Sequence, residues 1–167
     1  AIPISILAGS TVGDMEWWTV LAVALALAGL SFADDVRGLH PVARLGGHLV
    51  AAGGVVWYLL APLDLSIFLL LAVSVAWMTN LYNFMDGADG LAGGMAAFGF
   101  STYAMAGYFA GSPSITLVGV IIAGAAIGFL LFNFHPARIF LGDAGSIPLG
   151  FLAAAVGLWG WRDDIWP

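Results

Sequence analysis

Six long apolar stretches constrain this 167-residue chain more than any other feature of its sequence. They occupy residues 17–33, 45–63, 65–81, 91–110, 115–134 and 146–161. A helix needs about 20 apolar residues, within a range of about 17–25, to cross the hydrocarbon core of a bilayer. The stretches are continuous rather than alternating, and an open sheet cannot satisfy its backbone hydrogen bonds in lipid. The sequence therefore predicts an all-α fold, a polytopic membrane helical bundle with about six transmembrane helices.

Composition supports lipid as the surroundings and excludes several classes of partner. Hydrophobic residues make up 62% of the chain and charged residues 8%, whereas a soluble domain has about 25% charged residues. The net charge of −6 argues against nucleic acid, which selects surfaces rich in Lys and Arg. Without cysteine, neither a disulfide framework nor a thiolate metal site can form.

Three connections between the stretches are long and polar, at 34–44, 82–90 and 135–145, whereas those at 61–64 and 111–114 are short turns. If successive helices alternate in direction, the three long connections share one face. Arg37, Arg44 and Arg138 lie on that face and only Arg162 lies on the other. Because basic residues favour the cytoplasmic side, we expect the long connections to face the cytoplasm.

Five aspartates lie on the three long connections. They are Asp34, Asp35, Asp86, Asp89 and Asp143. Carboxylates gathered on one membrane surface can hold a divalent cation that neutralises a phosphorylated substrate. The pattern therefore indicates a metal-assisted reaction on such a substrate.

The first polar segment carries the adjacent pair Asp34 and Asp35. Two neighbouring carboxylates repel each other unless a cation lies between them, and a metal or a metal–polyphosphate complex would supply it. One of them could instead act as a base. The alternative is a solvated helix end with Arg37 as the local partner of the pair.

The second segment, 80–92, places polar side chains at every third position: Asn80, Asn83, Asp86 and Asp89. Glycines at 87 and 90 predict that the helix opens here, which would form a polar mouth able to hold a nucleotide and a metal. The calcium-loop pattern is not met, because no acid occupies its closing position. The alternative is an ordinary polar turn between spans.

The third segment runs from Asn133 to Ser146 and contains Asp143 between two glycines. Those glycines allow a ligand to approach the backbone, so Asp143 is a candidate metal ligand. We expect a helix to begin near Ser146 and to offer free N–H groups to an anion. The alternative is a capped loop.

His48, inside the second stretch, is interpreted as an interhelical hydrogen-bonding residue or as a substrate contact.

Together the strings 34–39, 80–92 and 140–146 resemble the polyprenyl-phosphate N-acetylhexosamine-1-phosphate transferase family, and the resemblance covers about residues 17–160. Its members start O-antigen, enterobacterial common antigen and teichoic acid linkage units, and phospho-N-acetylmuramoyl-pentapeptide transferase is a relative. Residues 83–87 resemble the O-antigen-type sugar transferases more closely than they resemble phospho-N-acetylmuramoyl-pentapeptide transferase. The resemblance implies transfer of a sugar 1-phosphate from a UDP-N-acetylhexosamine to undecaprenyl phosphate, with release of UMP, in the synthesis of cell-envelope polysaccharide.

The resemblance also implies roles for individual residues in a magnesium-dependent enzyme, with Mn²⁺ as a second candidate ion. Asp143 would be the main metal ligand with help from Asn83, and Asp34 and Asp35 would bind or deprotonate the lipid phosphate. The remaining residues would contact substrate: Asn80, Asp86 and Asp89 near the diphosphate and uridine, Phe140 against the uracil, and Arg37 and Arg44 at the anionic groups.

Family members have further regions before and after the resembling part, including a late cytoplasmic loop rich in histidine. This chain has no histidine after His135. We therefore expect residues 1–167 to form one partial integral membrane domain of a larger bundle, with little or no transferase activity alone. The expected location is a bacterial inner membrane with the active site on the cytoplasmic face, and a homodimer is a candidate assembly.

A membrane transporter or channel fragment is the main alternative to a transferase, because acids and broken helices also suit ion coupling. It predicts carboxylates near the middle of the bilayer, spread over both halves. A structural subunit without chemistry is a further alternative.

Overall fold

The computed structural model describes residues 15–167, and within that range every regular element is an α-helix. The helices are α1 (Met15–Arg37), α2 (Pro41–Leu60), α3 (Leu65–Met85), α4 (Leu91–Ala110), α5 (Pro113–Asn133) and α6 (Gly142–Arg162). Each predicted apolar stretch corresponds to one helix, which confirms the all-α fold.

Glycine and proline set several of the helix boundaries. Gly38, directly after α1, has a φ of 65°, and Gly111, directly after α4, has a φ of 73°. Glycine adopts this left-handed conformation without the penalty of a Cβ. Pro41 and Pro113 then begin α2 and α5, where the missing proline N–H would have had no partner within the helix.

Five helices are long and apolar enough to cross a membrane, judged by length and composition over the described residues: α1, α2, α3, α5 and α6. The 20 residues of α4 include glycine, serine, threonine and tyrosine, which lower its hydropathy. Large apolar side chains such as Trp57, Phe98 and Leu131 are exposed on the helices. Such exposure suits lipid, which is as apolar as those side chains. The chain is a multi-pass membrane protein.

Helix α6 lies at the centre of the bundle and packs against α1, α2, α3 and α4. Half of its most apolar stretch is buried, compared with 28% in each of the other candidate spans. A Cβ at Gly150 would lie 2.7 Å from the backbone oxygen of Met78 and 2.9 Å from the Cα of Thr79. Glycine therefore lets α6 approach the backbone of α3, which fixes the start of α6 beside the end of α3.

The three long connections, α1–α2, α3–α4 and α5–α6, meet at one end of the bundle. Side chains of Arg44, Asn83, Asp86 and Asp89 form hydrogen bonds or ion pairs that link these connections and the helix turns beside them. The predicted shared face is confirmed, and the polar residues that the sequence singled out are gathered there.

Candidate active site

Arg44 joins the first and third polar segments. It lies in the first turn of α2, and its guanidinium lies 3.0 Å from an Asp34 carboxylate oxygen and donates to Asp143 over 2.8 Å. Asp34 also accepts the backbone N–H of Leu39 over 2.6 Å. The Asp34 side chain is 9% exposed and that of Asp143 is 26% exposed. The two carboxylates, 109 positions apart in the chain, therefore share one cation.

This pairing corrects the alternative interpretation that Asp34 and Asp35 form a solvated helix end with Arg37 as their partner. Arg44 is the partner of Asp34, and Asp34 is buried. The turn formed by residues 38–40 reverses the chain and brings the first turn of α2 back beside the last turn of α1. Asp35 and Arg37 are exposed at the end of α1.

Asn83 joins the second and third polar segments. Its Nδ2 donates to Asp143 over 2.6 Å and to the Ser146 hydroxyl over 3.1 Å. The Ser146 hydroxyl in turn donates to the backbone oxygen of Gly142 over 2.7 Å. The sequence did not identify Ser146 as a site residue, although it lies in the quoted third string. Asp143 thus accepts from Arg44 at one oxygen and from Asn83 at the other.

Asp86 anchors the start of α6. Its two carboxylate oxygens accept the backbone N–H groups of Leu141, over 3.1 Å, and Gly142, over 2.8 Å, and the residue is 5% exposed. The expectation of a helix that begins near Ser146 with free N–H groups is therefore wrong in two respects. The helix begins at Gly142, and two amide groups at its start are already donated to a carboxylate of the protein itself.

Asp89 holds the connection between α5 and α6 at its α5 end. One of its oxygens accepts the backbone N–H of Ala137 over 3.1 Å and lies 2.8 Å from His135 Nδ1. The Ala137 N–H, followed by the His135 ring, holds the pKa of Asp89 below its ordinary value of 3.8. The connection between α5 and α6 is therefore tied to the connection between α3 and α4 at both of its ends.

Asn133 is a functional neighbour that sequence reasoning did not select. It is 1% exposed, accepts the N–H of Gly90 over 3.0 Å and donates to the backbone oxygen of Ile139 over 2.8 Å. An amide at the end of an apolar stretch, directly before a polar segment, was the available signal. Its role is to shape the same two connections that Asp86 and Asp89 hold.

The remaining predicted residues are placed around this cluster. Asn80 donates to the backbone oxygen of Ala76 over 2.7 Å, and its side chain lies near that of His48. His48 is 3% exposed, and its Nδ1 has no hydrogen-bond partner among the described residues. The position of His48 on α2 and Asn80 on α3 favours the interhelical interpretation of His48. Phe140 is 51% exposed.

A cavity of about 340 Å³ opens beside Asp143. Its lining residues come from the second and third segments: Asn83, Asp86, Gly87, Phe140, Gly142 and Asp143. Ligand pockets commonly have volumes of about 300–1,000 Å³. Asp34, Asp35 and Arg37 are not among the lining residues. Asp143 is therefore the one residue that both lines this cavity and takes part in the Arg44 ion pairs.

The donor set suits a metal that arrives with substrate phosphates better than one held by protein alone. Among the described residues, no group of three or more His, Asp or Glu side chains could hold a metal ion. Mg²⁺ is usually held by one or two carboxylates together with substrate phosphates and water. Asp143 supplies one carboxylate, and Asn83 supplies an amide whose orientation is assigned from its hydrogen bonds. These residues fit a magnesium–diphosphate complex.

Comparisons with known proteins agree with the geometry. The model of glycosyl transferase family 4 matches residues 17–161. A phospho-N-acetylmuramoyl-pentapeptide-transferase of Geobacillus sp. (strain WCH70) is 34% identical over 171 positions, covering 87% of this chain and 52% of that protein. A protein of the same name from Synechococcus sp. (strain RCC307) is 32% identical over 195 positions, covering 99% of this chain and 54% of that protein.

A third relative bears the name of a different transferase. The probable undecaprenyl-phosphate N-acetylglucosaminyl 1-phosphate transferase of Bacillus subtilis (strain 168) is 40% identical over 91 positions, covering 53% of this chain and 25% of that protein. The chain spans about half, or less, of the length of the curated relatives it matches.

Proposed function

We propose a function from one premise: the chain belongs to glycosyl transferase family 4, whose model matches residues 17–161. The resemblance seen in the sequence is thereby confirmed. The proposed reaction transfers N-acetylhexosamine 1-phosphate from a UDP-sugar to undecaprenyl phosphate. An oxygen of the lipid phosphate bonds to the phosphorus that bears the sugar, the bond from that phosphorus to the UMP oxygen breaks, and UMP leaves.

The observation that carries the proposal is the Asp34–Arg44–Asp143 bridge together with the Asn83–Asp143 hydrogen bond. These contacts join all three polar segments at one end of a membrane bundle. A guanidinium between two carboxylates can exchange its partners for an anion, and the carboxylates can exchange theirs for a cation. A substrate that carries both phosphate and a divalent cation satisfies both halves of the cluster.

The position of the cluster supports two substrates of opposite solubility. Asp34 and Arg44 lie in the last turn of α1 and the first turn of α2, and Asn83 and Asp143 lie in terminal turns of α3 and α6. Helices of about 20 residues span the hydrocarbon core, so their terminal turns meet water at the membrane boundary. A water-soluble UDP-sugar and a membrane lipid phosphate can both reach that level, which brings the reacting groups together.

On the acceptor side, we assign the lipid phosphate to Arg37 and Arg44, with Asp34 and Asp35 beside it to orient or deprotonate it. Two arginines offset the negative charge of the lipid phosphate and the repulsion between it and the diphosphate. Asp35 and Arg37 are exposed at the end of α1, where an incoming lipid headgroup can reach them. A homodimer stays a prediction.

On the donor side, we assign the diphosphate and nucleotide to the cavity beside Asp143. Asn83 lies on the wall contributed by α3, and Asn80 lies about one turn earlier on the same helix. Asp86 and Asp89 hold the connection that carries Phe140, and the exposed Phe140 ring can stack on a uracil. Asp143 and Asn83 would hold Mg²⁺, or Mn²⁺ in its place. When bound, that ion supplies positive charge that offsets the charge on the diphosphate.

The proposed setting is a bacterial inner membrane with this end of the bundle in the cytoplasm. The three arginines on the long connections support that orientation. The positions of the carboxylates also weigh against a transporter, which would need acids near the middle of the bilayer. Here the interacting acids of this end of the bundle lie in or beside terminal helical turns: Asp34, Asp86, Asp89 and Asp143.

The test is UMP release from UDP-N-acetylglucosamine or UDP-N-acetylgalactosamine, by protein reconstituted with undecaprenyl phosphate and Mg²⁺. Two proteins are compared, residues 1–167 alone and residues 1–167 expressed with their flanking coding sequence. We expect UMP release from the second and little or none from the first. Absence of UMP release from both, together with ion flux in liposomes, would favour the transporter alternative.

A further inference from the structure

A buried histidine lies one helical turn from the Arg44 ion pairs, on the side toward the middle of the membrane. His48 follows Arg44 by four positions on α2, a spacing that places both side chains on one face of a helix. It is 3% exposed, and its Nδ1 has no hydrogen-bond partner among the described residues. The ring is close enough to Arg44 and Asp143 to interact with both charges. His48 therefore faces the site rather than the surrounding lipid.

A polar residue of α3 lies in the matching position. Asn80 precedes Asn83 by three positions, so it too lies one turn further from the helix end than a residue that contacts Asp143. Its Nδ2 donates to a backbone oxygen of α3 over 2.7 Å, and its side chain lies near that of His48. Arg44, Asn83 and Asp143 thus form an outer layer, and His48 and Asn80 form an inner layer one turn deeper.

The histidine of the inner layer does not favour stability. A buried polar atom without a partner is unfavourable, and an apolar side chain of similar shape in its place would remove that cost. A polar residue that is kept at such a cost inside a membrane helix commonly belongs to a functional site. The position of His48 beside the outer layer indicates which site it serves.

The outer layer depends on the register between α2 and α3. Arg44 and Asn83 come from these two helices and donate to different oxygens of Asp143, over 2.8 Å and 2.6 Å. Hydrogen bonds weaken steeply when the donor moves away or turns. Apolar contacts are non-directional, so they permit small sliding or rotation of one helix against the other. A polar contact between the same helices, one turn deeper, restricts that motion.

We propose that His48 is a positioning residue of this site: together with Asn80, it holds α2 and α3 in the register at which Arg44 and Asn83 meet Asp143. The inference rests on the proposed function and deepens it, because it identifies what keeps the outer layer in place for the reaction. Neither residue of the inner layer lines the cavity beside Asp143, so the effect of His48 on the reaction passes through the outer layer.

The register can be measured directly, because the chain contains no cysteine and spin labels can be attached to two introduced ones. Val42→Cys and Phe84→Cys place labels on the first turn of α2 and the last turn of α3, at residues that are 70% and 83% exposed. Pulsed electron paramagnetic resonance then measures the label-to-label distance in residues 1–167 reconstituted in liposomes. We expect a narrow distance distribution in the protein with its native histidine and a broader one with His48→Leu. His48→Gln, whose amide keeps a donor and an acceptor, should retain the narrow distribution.

Turnover provides a second readout, measured as UMP release by the protein with its flanking coding sequence. His48→Leu should lower kcat about tenfold, as is common when a residue behind a metal ligand is replaced. The KM for the UDP-sugar should change less than about twofold, because the inner layer does not line the cavity. His48→Gln should recover most of kcat.

Thermal unfolding separates a positioning role from support of the fold. His48→Leu removes a buried nitrogen that has no partner among the described residues, so its unfolding temperature should equal or exceed that of the unsubstituted protein. A residue that only filled space would show no loss of turnover under those conditions. Lower turnover without lower stability is therefore the expected result.

Thr79→Val is the matched control. Thr79 adjoins Asn80 on α3, is 1% exposed and donates to the backbone oxygen of Val75 within its own helix. Its substitution removes a buried polar atom that bonds inside α3, so the distance distribution and kcat should stay as they are in the unsubstituted protein.

The outcomes separate the inference from the proposed function. An unchanged distance distribution in His48→Leu, a lowered unfolding temperature, or equal effects of His48→Leu and Thr79→Val would each overturn the positioning role and leave the transferase proposal standing. Absence of UMP release from the unsubstituted protein would overturn the proposed function. The distance distributions would in that case still support or overturn the register assigned to His48.

Discussion

Two pairs of carboxylates at the same end of the bundle have opposite kinds of partner. The bridged carboxylates, Asp34 and Asp143, share the guanidinium of Arg44. The anchoring carboxylates, Asp86 and Asp89, accept backbone N–H groups of the α5–α6 connection. All four residues are aspartates on polar connections between apolar stretches. Their different partners nevertheless suit them to different roles.

The difference lies in what each pair can release. A guanidinium on a flexible side chain can turn toward an incoming phosphate while its former carboxylate partners bind a cation. A backbone amide at a helix start cannot move without moving the helix, and an unsatisfied buried N–H is unfavourable. The bridged carboxylates are therefore suited to ligands, and the anchoring carboxylates are suited to hold Phe140, Gly142 and Asp143 in place for them.

The largest effect is expected from Asp143→Asn, which removes the charge that touches both the cavity and Arg44. UMP release by protein with its flanking sequence should fall at least about 100-fold, because a neutral amide is a weak ligand for Mg²⁺. Asp163→Asn, an exposed substitution at the other end of α6, is the matched control and should retain full release. Equal loss in both variants would show that the Asp143 effect comes from the fold.

Arg44→Gln is expected to have a smaller effect, which strengthens the binding of one ligand and weakens the binding of another. Without the guanidinium, the Asp34 and Asp143 carboxylates have no shared cation, so Mg²⁺ binding to substrate-free protein should tighten. Undecaprenyl phosphate binding should weaken at the same time. Each change should be about three- to tenfold, because Arg44 is partly exposed and its ion pairs are screened.

Isothermal titration of residues 1–167 with MgCl₂, and separately with undecaprenyl phosphate, measures both changes. Arg138→Gln, on the exposed α5–α6 connection, is the control that lowers the net charge equally. Parallel weakening of both ligands would show that Arg44 supports the fold rather than balancing the two carboxylates.

The anchoring carboxylates are tested by Asp86→Asn. An asparagine keeps one acceptor oxygen but presents an NH₂ group to the second amide, so one charge-assisted bond is lost, worth about 1.5–3 kcal/mol. Hydrogen exchange at Leu141 and Gly142 should accelerate about 10- to 100-fold, whereas Asp143→Asn should leave it unchanged. Asp64→Asn, at a helix start where the side chain makes no capping bond, should not affect exchange at its own helix.

The sequence predicted the convergence of the three segments but not the contacts that achieve it. Six continuous apolar stretches of near-membrane length determine alternation, and alternation brings Asp34, Asn83 and Asp143 to one face. Pairing across that face depends on helix rotation and on the turn at residues 38–40, for which periodicity carries no information. The sequence accordingly offered Arg37, the nearer residue, as the partner of the acid pair, whereas the structure shows Arg44.

Helix boundaries show the same limit. An apolar stretch marks the hydrocarbon core, whereas a helix continues until its backbone is interrupted. The first stretch ends at residue 33, yet α1 continues through Asp34 and Asp35 to Arg37, just before Gly38. The last helix begins at Gly142 rather than near Ser146 because Asp86, 56 positions earlier, accepts the Gly142 N–H. No local pattern in the sequence reports a cap supplied from that distance.

The smallest effect concerns Asp89 and its dependence on pH. The Ala137 N–H and His135 hold the pKa of Asp89 below 3.8, so the carboxylate is charged in the folded protein at any pH where it is charged in the unfolded chain. Its stabilising contribution is therefore complete above about pH 3.8 and is lost as the pH falls through the lower folded value. Asp89→Asn should accelerate exchange at Ala137 by a constant factor between pH 7 and 5, after correction for intrinsic rates. This ratio of exchange rates, variant over unsubstituted protein, should shrink only in more acidic buffer. A ratio that already shrinks between pH 7 and 5 would show that a group other than Asp89 anchors the α5–α6 connection.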